Sequence, residues 1–157
     1  MIEGLEQTLL FDTGGDGGVL LANMARMGID PSEIDAVFLS HFHSDHTRGL
    51  RRILQRNPNV TVFMPASFPG VSQKSARESG ARVFPIAASR KLFARAHSSG
   101  PMGQAPEEQA LMLDTDQGVA QVAPSRCTGD RATALFRDAW GEDFLKGGCG
   151  AVIVLAP

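Results

Sequence analysis

The chain has 157 residues, a formal net charge of −2 and a hydrophobic fraction of 43%, values typical of one globular domain with a single core. With 20% charged residues and only two cysteines, disorder, collagen-like repeats and a disulfide scaffold are excluded. The net charge of −2 gives no support for nucleic-acid binding. No apolar run is long enough for a membrane span, and the first residues lack the pattern of a secretory signal. We therefore expect one cytoplasmic domain over residues 1–157.

The first half of the chain alternates predicted strands and helices. Residues 7–12 (QTLLFD) form a short apolar run before a glycine cluster, which is typical of a buried strand. Asp16 is predicted to cap a helix whose apolar face holds Leu20, Met24 and Met27. The elements that follow are a strand at 36–39, an amphipathic helix at 48–56, a strand at 60–64 and a helix at 71–79.

The second half has weaker patterns. The predicted elements are short strands at 82–84 and 91–96, a loop at 98–106, a hairpin joining 110–114 to 118–122, and a closing strand at 151–155. A last helix, capped by Thr128 or Asp130, has an apolar face of Leu135, Phe136, Ala139 and Trp140. This mixture of elements indicates an α/β or α+β fold.

Three of the four histidines fall within the segment 40–46 (SHFHSDH), directly after a predicted buried strand. Because alternate residues of an extended chain project to one side, His41 and His43 can point at one metal ion. Asp45 and His46 can supply an oxygen and a nitrogen to a second ion. These donors suit zinc, with iron or manganese as alternatives, and such a metal supplies hydroxide at neutral pH that Asp45 could orient. The other interpretation is a solvated, histidine-rich loop.

The segment HFHSDH matches the HxHxDH signature of the metallo-β-lactamase superfamily, and LLFDTGG resembles the strand and turn before the first helix of that fold. GIDPSEIDAVFLSHFHSDHTRGL, SSGPMGQAPEEQALMLDTDQG and SRCTGDRATALFRDAWGEDF resemble segments of a branch related to ribofuranosylaminobenzene phosphate synthases. The resemblance implies an α+β fold, an αββα sandwich with a binuclear metal site at one edge. It also implies a metal-dependent hydrolase acting on a small-molecule ester, thioester, lactone or phosphoester.

By the same resemblance, Asp12 supports the metal-binding loop from behind; its ordinary alternative is a turn aspartate bonded to its own backbone. The later ligands of the family are missing. No third histidine for the first metal is found, and Arg126 stands before Cys127-Thr128-Gly129 where a late histidine is expected. The resemblance therefore implies a chain shortened at the N-terminus and in the middle.

Several residues could compensate for the missing ligands. Cys127 could bind metal as a thiolate, or it could be a plain buried cysteine, which is also how we interpret Cys149. His97 could be a ligand, or it could be packed or solvated in a strand. Arg126 could repel a metal or bind an anionic group of the substrate.

Two clusters have simpler interpretations. The glycines at 14–18 lack the spacing of a phosphate-binding loop. Four arginines are expected on the solvated face of their helix, although the first of them could reach a substrate anion: Arg48, Arg51, Arg52 and Arg56.

Three functional hypotheses remain. The first is the metallohydrolase, and the second is a catalytically impaired remnant of the fold with at most weak metal binding. The third is a homo-oligomer in which a partner chain completes the site.

Overall fold

The computed structural model describes residues 2–3, 7–115, 118–123, 134, 138, 141 and 153–154, with side chains for 7–114, 134, 138 and 141. Its first strands and helices are β1 (Ile2–Glu3), β2 (Leu9–Phe11), α1 (Gly17–Arg26), β3 (Ala36–Phe38), α2 (Ser44–Thr47), α3 (Leu50–Arg56), β4 (Thr61–Pro65) and α4 (Gly70–Glu78). Then come β5 (Arg82–Ile86), β6 (Arg90–Phe93), β7 (Ala96–Ser98), β8 (Leu111–Thr115), β9 (Gly118–Ala123) and β10 (Ile153–Val154). A 3₁₀ turn at Pro31–Glu33 precedes β3.

The strands form two sheets. The first has the order β10-β1-β2-β3-β4-β5, and its strands from β2 to β5 are parallel. The second has the order β6-β7-β8-β9 and is antiparallel throughout. Because β2 and β3 run in the same direction, the segments that follow them leave the sheet at the same edge, and this edge carries the histidines.

Alternate residues of the first sheet contribute to two different apolar clusters. One cluster joins Val37 and Leu39 to residues of α1, α3 and α4. The other lies between the sheets and joins Phe38 to Leu111 and Leu113 of β8. With both faces covered, β3 is fully buried, which explains its uninterrupted apolar sequence. The layers are helices, first sheet and second sheet, so the predicted α+β class is confirmed.

The predicted start of the first helix is confirmed, and one residue of its predicted apolar face, Met27, lies beyond its end. The Asp16 carboxylate accepts hydrogen bonds from the backbone N–H groups of Gly18 at 2.7 Å and Val19 at 3.0 Å. These bonds lower the pKa of Asp16, that to Val19 more than that to Gly18. The helix ends at Arg26, and Met27 is 44% exposed instead of lying on the apolar face, because it follows the last helical turn.

The region predicted as one strand over 91–96 contains two strands. The chain turns at 94–95, and β6 and β7 pair with each other as an antiparallel hairpin. The predicted hairpin of β8 and β9 is confirmed. The helix predicted after Thr128 or Asp130 would supply the fourth layer of an αββα sandwich. Of its residues only Ala134 and Asp138 are described, and both are helical and exposed. Its predicted apolar face lies outside the described residues. No helix in the described part of the chain is long and apolar enough to cross a membrane. The single domain over 1–157 stays a prediction.

Candidate metal centre

Hydrogen bonds join the turn after β2 to the histidine segment. Asp12 adopts a positive φ of 54°, an uncommon conformation that aspartate tolerates better than most residues. In this conformation its backbone N–H donates to the carbonyl of Phe38 at 2.8 Å. Its carboxylate accepts the backbone N–H of Ser40 at 2.8 Å and the Ser40 hydroxyl at 2.7 Å. Asp12 therefore contacts the histidine segment through long-range hydrogen bonds, as its predicted supporting role requires. These bonds stand in place of the alternative, a bond to its own turn.

The same turn binds the far end of the segment. The backbone N–H and the hydroxyl of Thr13 both donate to the carbonyl of His46 at 2.8 Å. Gly49 approaches Thr13 so closely that a Cβ at Gly49 would collide with the Thr13 carbonyl oxygen. Only glycine fits where these two backbones meet.

Hydrogen bonds assign the tautomer of the buried histidine. The Ser40 hydroxyl donates to Asp12, so its oxygen accepts the N–H at Nδ1 of His41, 2.9 Å away. This arrangement leaves Nε2 of His41 with its lone pair. Burial, followed by the charge of His46, lowers the pKa of His41. His41 is therefore neutral at neutral pH, which is the form that binds a metal.

His46 is oriented in the same manner. Its Nδ1 donates to Oδ2 of Asp12 at 2.7 Å. This hydrogen bond raises the pKa of His46, and burial opposes the effect. The bond to Asp12 fixes the ring and directs Nε2 away from the support. A carboxylate behind a histidine is the usual arrangement for metal-binding imidazoles.

The segment between the two histidines turns into α2. His43 precedes this one-turn helix, and its carbonyl accepts the Thr47 hydroxyl at 2.9 Å. Nδ1 of His43 lies 2.9 Å from Nε2 of His41. Oδ2 of Asp45 lies 3.4 Å from Nε2 of His46, and its side chain is 59% exposed. A hydrogen bond to backbone and the neighbouring His46 both contribute to a lowered pKa of Asp45.

These donors form two pairs of facing atoms. We call Nε2 of His41 with Nδ1 of His43 the first pair, and Oδ2 of Asp45 with Nε2 of His46 the second pair. The rings of His41 and His46 lie 4.2 Å apart between centroids, so the pairs are adjacent. Tetrahedral zinc with Zn–N bonds of about 2.0–2.1 Å would hold two nitrogens about 3.3 Å apart, so the first pair needs to open by only about 0.4 Å.

The number of donors is smaller than catalytic zinc normally uses. Within the described residues, no group of three or more His, Cys, Asp or Glu side chains is assembled to hold a metal ion. The donor types and the orientation of the nitrogens fit a divalent metal, but each pair supplies two ligands where three are usual.

The other predicted site residues do not join this cluster. Nε2 of His97 is bonded to Oδ2 of Asp114 at 2.7 Å on the second sheet. Arg126, Cys127 and Cys149 lie outside the described residues. The four arginines at 48, 51, 52 and 56 are exposed, as predicted.

A groove of about 340 Å³ lies beside the cluster, between α3 and α4. Its lining includes Phe42, Phe68, Arg48 and Arg51. The Phe42 ring contacts Phe68, with 5.2 Å between the centroids. The residue between the two histidines of the first pair therefore faces a groove with an apolar surface and two arginines.

The contact between the loop before β8 and the histidine segment was not predicted from the sequence. Gln109 is 1% exposed, its backbone N–H donates to the carbonyl of Ser40 at 2.9 Å, and its side-chain amide donates to the carbonyl of Leu39 at 2.9 Å. Its side-chain oxygen accepts the Ser98 hydroxyl at 2.8 Å. Since Gln109 is 70 residues from Leu39, no local pattern could have identified this contact.

Curated relatives match short parts of the chain. It is 39% identical over 61 residues to the 7,8-dihydropterin-6-methyl-4-(beta-D-ribofuranosyl)-aminobenzene-5'-phosphate synthase of Methanocaldococcus jannaschii, covering 38% of this chain and 21% of that protein. It is 33% identical over 72 residues to the ribonuclease Z of Nanoarchaeum equitans, covering 42% and 22%. The chain thus matches only about a fifth of the length of each of these relatives.

The fold is also found among solved structures. A quorum-quenching N-acyl homoserine lactone lactonase superposes with a TM-score of 0.55 at 19% identity, covering 86% of this chain and 63% of that one. The family model of the metallo-beta-lactamase superfamily matches residues 1–115, which include β1 to β8, the turn after β2 and the histidine segment. The chain belongs to the metallo-beta-lactamase superfamily.

Proposed function

We propose that the chain is a metal-dependent hydrolase that binds one or two divalent ions, zinc in preference to iron or manganese, through His41, His43, Asp45 and His46. The observation that carries this proposal is the tautomer control of the two buried histidines. Hydrogen bonds from Nδ1 of His41 to Ser40 and from Nδ1 of His46 to Asp12 favour the neutral tautomer that carries its lone pair on Nε2, the atom that would bind the metal. A solvated histidine-rich loop would not need buried partners of this kind.

The metal would lower the pKa of a bound water to about 7 and polarise the oxygen of the scissile bond. The chain's own groups orient the reactants. Asp45 is exposed and its pKa is lowered, so it is ionised at neutral pH and can accept a hydrogen bond from the attacking water. Asp12 holds the His46 ring in place and takes no part in bond breaking.

The substrate class proposed is a small molecule with an ester, thioester, lactone or phosphoester bond. The lactonase fold neighbour supports the lactone, and the ribonuclease activity named for the Nanoarchaeum relative supports a phosphoester. Arg126 is a further candidate for binding an anionic group of this substrate. Nucleic acid is not the expected partner at a net charge of −2, and cytoplasmic location stays a prediction.

A second function is favoured by the shortage of ligands. With no three-residue metal group among the described residues, the chain would be a catalytically impaired domain that binds at most one metal weakly. A homo-oligomer in which a partner chain supplies the missing ligands would restore activity. Light scattering that shows a monomer would contradict this last arrangement.

Hydrolysis by the zinc-loaded chain distinguishes these functions. The test uses a panel of generic esters, thioesters, lactones and phosphodiesters, with His43→Ala and Asp45→Asn as the disabling variants and His97→Ala as the matched control. We expect turnover of at least one substrate class that both disabling variants lose and that the control retains. Turnover that survives both disabling variants contradicts the proposed site, and no turnover on the whole panel supports the impaired domain.

A further inference from the structure

The connection between β3 and His41 consists of Leu39 and Ser40. Both residues are 0% exposed, so every polar group of their backbone needs a partner inside the protein. The N–H of Leu39 donates to the carbonyl of Phe63 on β4 at 2.9 Å. The N–H of Ser40 donates to the carboxylate of Asp12 at 2.8 Å. The first sheet and the turn after β2 therefore satisfy the two donors of this connection.

Gln109 satisfies the two acceptors of the same connection. Its backbone N–H donates to the carbonyl of Ser40 and its side-chain amide donates to the carbonyl of Leu39, each at 2.9 Å. Gln109 is itself 1% exposed, so both bonds lie inside the protein. One residue of the loop before β8 thus supplies the donors for the two carbonyls that directly precede His41.

The second sheet fixes the orientation of the Gln109 amide. The hydroxyl of Ser98, at the end of β7, is fully buried and donates to Oε1 of Gln109 at 2.8 Å. The Ser98 oxygen in turn accepts the backbone N–H of Gly100 at 3.0 Å. With Oε1 bonded to Ser98, the amide nitrogen faces the carbonyl of Leu39, and the reverse orientation would place two oxygens against each other.

The position of Ser40 decides how His41 is presented. The Ser40 hydroxyl donates to Asp12, and its oxygen accepts the N–H at Nδ1 of His41 at 2.9 Å. Asp12 binds the backbone N–H of Ser40 and Gln109 binds its carbonyl, so this residue is held on both sides. Without the Gln109 amide the buried carbonyl of Leu39 has no donor, which favours a shift of this backbone toward another donor or water. We expect such a shift to weaken the bond between Ser40 and His41.

Building on the function proposed above, we propose that Gln109 is a positioning residue of the metal centre. It holds the backbone of Leu39 and Ser40 so that His41 keeps its proton on Nδ1 and presents the lone pair of Nε2. Gln109 is neither a ligand nor a group that contacts the reactants. The second sheet thereby contributes to metal binding through one buried amide, which lies 70 residues from Leu39 in the chain.

The test compares zinc affinity and the tautomer of His41 in the full-length chain. The variant is Gln109→Met, which keeps the length of the side chain and removes its amide. Isothermal titration calorimetry measures zinc affinity, and nitrogen-15 NMR of the metal-free chain at mildly alkaline pH shows which ring nitrogen carries the proton. We expect zinc to bind about tenfold more weakly to Gln109→Met, a usual effect of losing a group that orients a metal ligand. We also expect a mixture of His41 tautomers in this variant, whereas the parent chain holds the proton on Nδ1.

The matched control is Asn57→Leu, which also removes a buried side-chain amide. Asn57 donates to the carbonyl of Ile34 at 2.7 Å, and Ile34 lies before β3, at the end of the strand opposite to the histidines. Urea unfolding is expected to show a loss of stability in both variants. Only Gln109→Met is expected to change the zinc affinity and the His41 tautomer, which separates positioning of the site from a general contribution to the fold.

The outcomes separate this inference from the function on which it rests. Gln109→Met with the zinc affinity and the His41 tautomer of the parent chain would overturn the positioning role. An equal loss of zinc affinity in Asn57→Leu would also overturn it, because the effect would then follow general stability. A parent chain that binds no zinc overturns the proposed function, and the His41 tautomers of the metal-free variants then decide the positioning role. If Gln109→Met does not fold, Ser98→Ala, which removes the hydroxyl that orients the amide, is held to the same expectations.

Discussion

The carboxylate of Asp12 and the imidazole of His46 lie 2.7 Å apart, although they are 34 residues apart in the chain. The same carboxylate accepts hydrogen bonds from both the backbone N–H and the hydroxyl of Ser40. One side chain at the end of β2 therefore binds the segment that follows β3. Since Ser40 in turn orients His41, we expect removal of the Asp12 carboxylate to disturb both His41 and His46, the two buried histidines proposed as metal ligands.

Asp12→Ala is expected to weaken zinc binding by about 10–100-fold, the usual effect of losing the group behind a metal-binding histidine. Isothermal titration calorimetry, with zinc added to the metal-free protein, measures the zinc affinity of each variant. Asp35→Ala is the matched control, because Asp35 also bonds a backbone N–H, that of Thr8, but lies outside the cluster. Equal zinc affinity for Asp12→Ala and the parent chain would contradict the supporting role.

The Asp12–His46 pair also predicts a pH dependence of stability in the metal-free chain. Because the pKa of His46 is raised above 6.5 in the folded state, the folded chain holds this proton more tightly than the unfolded one. The stabilisation is fully present below about pH 6.5 and is lost as the pH rises through the folded-state pKa.

We therefore expect the difference in unfolding free energy between the parent chain and Asp12→Asn to narrow as the pH rises from acid through neutral. Urea unfolding at a series of pH values measures this difference. In a His46→Gln background the narrowing should disappear. A difference that is constant with pH in the parent background would contradict the pairing.

Gly49→Ala is expected to destabilise the chain by about 1–3 kcal/mol or more, since the new methyl group would collide with the carbonyl oxygen of Thr13. Gly70→Ala is the matched control because a Cβ there meets no atom within 4 Å. Thermal unfolding of the two variants makes the comparison. Equal stability of the two would show that the turn and the histidine segment do not approach as closely as the structure has them.

Gln109→Ala is expected to cost about 1–3 kcal/mol, because it leaves the carbonyl of Leu39 and the hydroxyl of Ser98 without their buried partner. Gln104→Ala, at an exposed position in the same loop, should be nearly neutral. Urea unfolding measures both. A cost for Gln109→Ala no larger than that for Gln104→Ala would contradict the anchoring of the loop.

The histidine edge could be predicted from sequence because its signals are local. An apolar strand followed by alternating histidines predicts that the histidines lie at the end of that strand. The resemblance of the sequence around Asp12, before a glycine-rich turn, predicted that Asp12 supports the histidine segment. Gln109 and the hairpin of β6 and β7 could not be predicted in this way. The contact of Gln109 with Leu39 depends on the meeting of two sheets, and the turn at 94–95 divides an apolar stretch without glycine or proline.

The central claim, that this edge is a metal site, is tested most directly by the zinc content of the purified chain after loading and removal of free metal. We predict one to two equivalents in the parent chain by elemental mass spectrometry, a clear loss in His43→Ala, and no loss in His97→Ala. A parent chain that retains only a trace of zinc, or the same content in His43→Ala as in the parent, would contradict the claim.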